Sequence, residues 1–158
     1  MTDAAPSRCS PAPDLLDCRP VTGPAELAVH HAVRRAVFVE EQGLFVDDRD
    51  LHDVDPLTVH LLGRVDGEPA GTVRLYPVSA TVWKGDRLAV LPPYRRSGLG
   101  GPLVRLAVAT AAARGGTTMD ALVQAANTDF FVALGWRPVG DVVDHIGVPH
   151  RAMTIPLG

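Results

Sequence analysis

Two arginines, a serine and three glycines crowd into the run Arg95-Arg96-Ser97-Gly98-Leu99-Gly100-Gly101, just ahead of a segment with helical spacing. That combination suits an anion. Glycines let successive backbone N–H groups converge, and the first turn of a helix adds unpaired N–H groups and the positive end of its dipole. A pyrophosphate would fit, with Arg95 and Arg96 adding charge. Spacing narrows the choice. The Walker pattern needs a lysine after its last glycine, and the dinucleotide pattern G-x-G-x-x-G fails because Leu103 stands at the third glycine. What remains is [QR]-x-x-G-x-[GA], met by Arg95, Gly98 and Gly100. A second charged group, Asp47, Asp48, Asp50, Asp53 and Asp55, reads as a solvated loop or as a lure for a cation. Calcium is disfavoured, since the glycine bend and terminal glutamate of a calcium loop are missing.

The elements that position the glycine run follow from periodicity. Leu88 to Leu91 is an apolar run of strand type ended by Pro92-Pro93, and Leu103, Leu106, Ala107 and Ala111 then recur at helical spacing as far as Arg114-Gly115-Gly116. Upstream, Thr22, Pro24 and Glu26 read as cap, first-turn proline and acidic first turn of a helix. Its expected buried face is Ala25, Ala28, Val29, Ala32, Val33, Ala36 and Val37, with Glu26, His30, Arg34 and Arg35 opposite and His30 and His31 as surface or boundary residues. Leu57, Val59, Leu61 and Val65 alternate with Thr58, His60 and Arg64, and Asp66-Gly67 turns that strand into Thr72–Tyr76. The spacing further predicts strands at Leu15–Pro20, Thr81–Leu91 and Met119–Val123. A short helix is expected at Asn127–Leu134, and strands at Trp136–Gly140 and Arg151–Leu157. The helix between Thr81–Leu91 and Met119–Val123 is a crossover, so those strands should lie parallel and adjacent, with the glycine run at their carboxyl ends.

The bulk composition sets bounds. With 158 residues, 46% of them hydrophobic, the chain supports one domain, taken as 15–158 behind a disordered tail at 1–14 that carries little apolar surface. A net charge of −3 gives no basic field for nucleic acid. Cys9 and Cys18 are the only cysteines, so neither a disulfide scaffold nor a metal cluster is indicated, and no apolar run is long enough to span a bilayer. A reducing cytoplasm, no membrane and no metal are the expectations.

The pattern at Arg95–Gly100, preceded by Leu88-Ala89-Val90, resembles the acetyl-CoA signature of the GNAT superfamily of N-acetyltransferases. The order of elements from Leu15 to Leu157 is similar to the whole GNAT fold. That fold is an α/β (α+β) architecture with one mixed, mostly antiparallel sheet of about six to seven strands, helices on both faces and a parallel splayed pair at the acetyl-CoA site. The resemblance implies that Leu88, Ala89 and Val90 pair through their backbones with the pantetheine arm. It also implies that Arg95, Arg96, Ser97, Gly98, Leu99, Gly100 and Gly101 cradle the pyrophosphate, and that Asn127 and Phe131 line the cofactor site. Phe131 stands where many relatives carry a tyrosine that protonates the departing thiolate, and a phenyl ring has no proton to give.

Arg34–Gln42, the acidic loop that follows, His60-Leu61-Leu62 and Gly147-Val148-Pro149-His150 further resemble a group of small bacterial GNATs marked by R-x-x-V-F-x-x-E-Q, an acidic D-x-D segment, H-L-[LV] and G-[IV]-P-H. The stretch Trp83–Arg87 resembles acetyltransferases associated with nitrogen-starvation gene clusters.

Direct attack of a small-molecule primary amine on acetyl-CoA would need a base, because a free alkylammonium has a pKa near 10.4. Glu41, His60, Asp86 and His150 are the candidates, Glu41 first. Glu41 and His60 read equally well as buried hydrogen-bonded struts. Asp86 shares strand parity with Leu88 and Val90, which points it at or under the cleft. A catalytically silent acyl-CoA-binding or regulatory domain is the alternative, and a homodimer is left open.

Overall fold

The turn at Asp66-Gly67, with φ of 50° and 84°, joins two strands of the sheet at the place the sequence marks for it. A computed structural model describes residues 15–158; the expected tail at 1–14, with Cys9, lies outside the described residues. The strands are β1 (Leu16–Pro20), β2 (Val59–Val65), β3 (Glu68–Pro77), β4 (Val82–Val90), β5 (Thr118–Gln124), β6 (Arg137–His145) and β7 (Val148–Pro156). They form one mixed sheet in the order β1-β2-β3-β4-β5-β7-β6, antiparallel except for the parallel pair β4 and β5. This is the expected architecture. β6 and β7 run farther than their spacing suggested because Ile146 (φ 50°) and Gly147 (φ 77°) form a two-residue turn that lets them pair as a hairpin.

Helix α1 (Gly23–Arg34) continues as a wider turn over Arg35–Glu41, marked by Gln42 N–H donating to the Val37 carbonyl five residues back. Thr22 does not cap it. Instead the Glu26 carboxylate reaches back and accepts from the Thr22 N–H at 2.7 Å and its hydroxyl at 3.0 Å. Helix α2 (Gly100–Ala113) packs Leu103, Val104, Ala107 and Ala111 onto Leu61, Val73 and Leu75 on one face of the sheet. Helix α3 (Thr128–Ala133) is one short turn ahead of β6.

The α1 face corrects the sequence reading. Ala25, Ala28 and Ala32 are exposed, whereas His30 (0% exposed), His31 and Arg34 (1%) are buried beside Val33, Val37 and Phe38. Alanine offers little apolar area, so burying it gains little. What α1 covers on β2 and β3 is polar. Arg34 makes a two-pronged ion pair with Asp53 at 2.7 and 3.0 Å, and His60 Nε2 bonds Asp53 Oδ1 at 3.1 Å. Arg74, on β3 directly opposite His60, is fully buried. It donates to Asp86 at 2.8 and 2.7 Å and to Asp50 at 2.6 and 3.1 Å, with Asp53 at 3.2 Å. Arg87 adds a contact to Asp50 at 3.2 Å. Thus Asp53 is a buried partner, and Asp50, its side chain 34% exposed, joins the network from the rim. Asp50 also caps the 3₁₀ turn Leu51–Val54 that brings Asp53 inward.

Three guanidiniums facing three carboxylates are electrically balanced, and removing one partner of a buried pair costs about 3–5 kcal/mol because the other charge stays behind. Arg74→Met should therefore lower unfolding stability by about that amount in urea titration, with Arg74→Lys only partly restoring it. His30 responds to pH. Burial pushes its pKa down to about 3. A folded value below the unfolded value of about 6.5 means stability is whole above that pH and falls below it, by up to about 1.4 kcal/mol per pH unit. Urea titrations near pH 7 and pH 5 should show this loss, and His30→Gln should flatten it.

Candidate functional site

The site begins where β4 and β5 stop pairing. Their parallel ladder runs only from Val82 opposite Thr118 to Gly85 opposite Ala121. Beyond it, β4 carries a bulge: Thr72 pairs with Ala89 but Arg74 with Asp86, and Arg87 takes a left-handed φ of 55°. A bulge bends its strand and strengthens the local twist, which turns the end of β4 away from β5. It also breaks the parity read from sequence. Asp86 faces α1 with Ala89, while Val73, on the opposite face of β3, packs toward α2.

The gap holds a cavity of about 180 Å³ that passes between the two strand ends. Leu88, Val123, Asn127 and Phe131 form one wall, and Phe38, Phe45, Asp86, Arg87 and His150 form the other. Met119, Ala121, Val104 and Ala107 close the apolar floor. The main chain is ready for an extended ligand. Leu91 N–H bonds the Ala70 carbonyl, so Ala70/Leu91 and Thr72/Ala89 are the hydrogen-bonded pairs of the antiparallel ladder, and Val90 between them turns its N–H and C=O into the gap. Arg95 Nε takes the Val90 carbonyl at 2.9 Å, leaving the Val90 N–H. Ala89, expected to offer its backbone, is committed to Thr72.

At the mouth of the gap lies the glycine run. Gly98 has φ of 83°, and the amides of Gly98, Gly100 and Gly101 make no hydrogen bond to a described residue. Ser97 Oγ donates to the Tyr94 carbonyl at 2.6 Å and accepts the Leu99 N–H at 3.2 Å, fixing the loop from within. Leu99 is its anchor. The side chain is 1% exposed and sits over Gly63 and Gly71, opposite each other on β2 and β3, where a Cβ would come within 3.0 and 2.9 Å of it. Arg96 is exposed and pairs with no described residue.

The expected bases fare unequally. Glu41 grips Arg95 with both oxygens, at 2.6 and 2.5 Å, and this pairing holds its carboxyl below the usual range. A carboxylate so held is a poor proton acceptor and instead ties the end of the wide turn to the glycine run. Gln42 makes a parallel link, accepting from Gln124 Nε2 at 3.1 Å. His60 is buried under α1 against Asp53 and does not line the cavity. Asp86 lines the cavity, yet both oxygens accept from Arg74. His150 lines it too, with Nδ1 2.8 Å from the Val148 carbonyl. Lys84, Arg87 and Gln124 also face the cavity, and no spacing in the sequence singled them out.

His31, Asp53 and His60 carry ligand-type atoms within 4.8 Å of one another. Both Asp53 oxygens already accept from Arg34, and a dication there would face Arg34 and Arg74 with no uncommitted carboxylate. The cluster is built as a polar core.

The architecture and the gap define an acyl-CoA-dependent acyltransferase of the GNAT kind. The sequence pattern described as the acetyltransferase (GNAT) family matches residues 26–136, and the chain belongs to that family. A Bacillus subtilis (strain 168) protein provisionally named an acetyltransferase is 30% identical over 142 residues, spanning 88% of this chain and 95% of its own. A crystal structure of a provisionally assigned N-acetyltransferase from Lactobacillus plantarum superposes with a TM-score of 0.81 at 28% identity, covering 90% of this chain and 98% of that one. An acyl-CoA N-acyltransferase from Pseudomonas aeruginosa shares the fold, with a TM-score of 0.76 at 23% identity over 90% and 99% of the two chains.

If Glu41 serves as a tether, Glu41→Gln should change kcat by less than about tenfold and leave the shape of the pH–rate profile intact. A lost ionisation limb in that profile would restore Glu41 as the base.

Proposed function

We propose that the chain transfers an acetyl group from acetyl-CoA to the primary amine of a small molecule, by direct attack with both substrates bound. One observation carries the reading: where β4 continues past its last pairing with β5, the outward Val90 N–H and the unpartnered amides of Gly98, Gly100 and Gly101 follow in the chain after Asp86, Arg87 and Leu88, which line the apolar-floored cavity. These donors suit, in that order, a pantetheine amide and a pyrophosphate. CoA supplies an activated thioester when bound; the chain supplies alignment. Val90 fixes the arm, the loop fixes the phosphates, and Leu88, Val123 and Phe131 keep water from the gap, so the reacting carbon is presented to an amine entering from the α1 side. Phe131 lies among Phe130 and Trp136 with ring centroids 5.2 and 5.5 Å away, and its phenyl ring has no proton to give. A thiol of ordinary pKa near 8.5 leaves tolerably at neutral pH and can take its proton from water.

Phe131 also supports the second reading, a domain that binds acyl-CoA without turnover. Two measurements separate them. Arg96→Glu, on an exposed side chain, should weaken acetyl-CoA binding about tenfold or more by calorimetry with an unchanged circular dichroism spectrum, and an unchanged affinity would remove the phosphate assignment. Wild-type protein should release free thiol from acetyl-CoA with a member of a panel of polyamines, amino acids and amino sugars. Phe131→Tyr should alter that rate by less than about tenfold. Binding without thiol release, with activity appearing only in Phe131→Tyr, would favour the silent domain.

A further inference from the structure

We infer that His150 Nε2 is the general base that takes the proton from the attacking amine; this rests on the acetyl-transfer reading above. One hydrogen bond of His150 has a single possible direction. A carbonyl oxygen only accepts, so the 2.8 Å contact from Val148 O requires the proton on His150 Nδ1. In the neutral ring that leaves Nε2 with its lone pair. The hairpin turn at Ile146-Gly147 holds this geometry by placing Val148 and His150 two residues apart at the start of β7.

The ring is only 6% exposed, so it cannot swing freely, yet Nε2 bonds to no described residue and is not among the side-chain atoms sealed from solvent. His150 itself lines the cavity between the strand ends. His150 pairs directly with Gln124 across β5 and β7, and Gln124 lies just past the point where β5 leaves β4. Directly opposite residues share a face, so the imidazole stands beside the gap on the α1 side, where the amine has room to enter.

The competing acceptors are occupied or remote: Glu41 by Arg95, Asp86 by Arg74, and His60 by Asp53 under α1. His145 stands edge-on to His150 at 5.0 Å but is exposed and makes no bond that fixes its tautomer. The charged or titratable groups on the α1-side wall are Lys84, Asp86 and Arg87 from β4 and His145 from β6. Asp86 is paired with Arg74 and Arg87.

An imidazole near pKa 6.5 is a weak acceptor from a free ammonium near 10.4. It is well matched to an amine whose nitrogen is forming its bond to the carbonyl carbon, because that nitrogen's protons become more acidic as the bond forms. In the step, the N–C bond forms and an N–H proton passes to Nε2. The C–S bond then breaks with its electron pair on sulfur, the thiolate takes a proton from water, and His150 returns its proton to solvent. Amine and thioester become amide and thiol.

The test uses the full chain with acetyl-CoA and the amine panel above. His150→Gln should lower kcat by roughly 100-fold or more, erase the rising limb of the kcat/KM profile, and leave acetyl-CoA affinity unchanged, with added imidazole restoring part of the rate. Nitrogen-detected NMR of the wild-type imidazole, which needs no variant to fold, should show the Nδ1–H tautomer. Retained rate and limb in His150→Gln or an Nε2–H tautomer would each overturn the assignment. A wild type that fails to bind acetyl-CoA, or binds it but acetylates none of these amines, would instead overturn the acetyl-transfer reading beneath it.

Discussion

Arg74 is fully buried in the middle of the sheet, and the stability of the α1 side depends on how its charge is met. A guanidinium there is tolerable only if carboxylates reach it with good geometry. They come from three places: Asp86 on the neighbouring strand, and Asp50 and Asp53 from the 3₁₀ turn and its cap. Meeting that charge draws the acidic loop under α1, brings Arg34 and His60 into the same network, and fixes the side of β4 that lines the cavity. With all partners present, Arg74 stays protonated well beyond any working pH.

From this anchor the site follows. Asp86, held by Arg74, ends the regular part of β4, and the bulge at Arg87 comes next. The bulge separates β4 from β5, and the separation frees one main-chain edge at Val90. Leu99, seated on two facing glycines, sets where α2 starts relative to that edge. Two links, Glu41 to Arg95 and Gln42 to Gln124, then tie the end of the wide helical turn to both sides of the gap. Each step is a packing or hydrogen-bonding requirement, and together they place the donors for an anion, an extended arm and a proton acceptor around one small cavity.

The glycine run, its strand and its helix were legible because proline and glycine punctuate them and the period changes from strand to helix across one loop. The crossover topology followed from that order. The buried face of α1 was not legible, since His30, His31 and Arg34 look like surface residues until Asp53 and His60 are brought to them from elsewhere in the chain. The bulge was hidden because its left-handed residue is Arg87, with no glycine to announce it. Glu41 carries a motif that marks importance without saying for what, and its partner Arg95 lies 54 residues away. His150 was legible as a candidate base at the end of the Gly147–His150 motif, but the direction of its hydrogen bond needed the hairpin.

The central claim is that the gap between β4 and β5 is the acyl-CoA site and that its main chain does the holding. Residue-resolved amide hydrogen exchange with and without acetyl-CoA tests it most directly. The account predicts new protection at Val90, Gly98, Gly100 and Gly101, and no change at Ala89, whose amide is already bonded to Thr72. Protection confined to other elements, or none at these four amides under saturating acetyl-CoA, would contradict it.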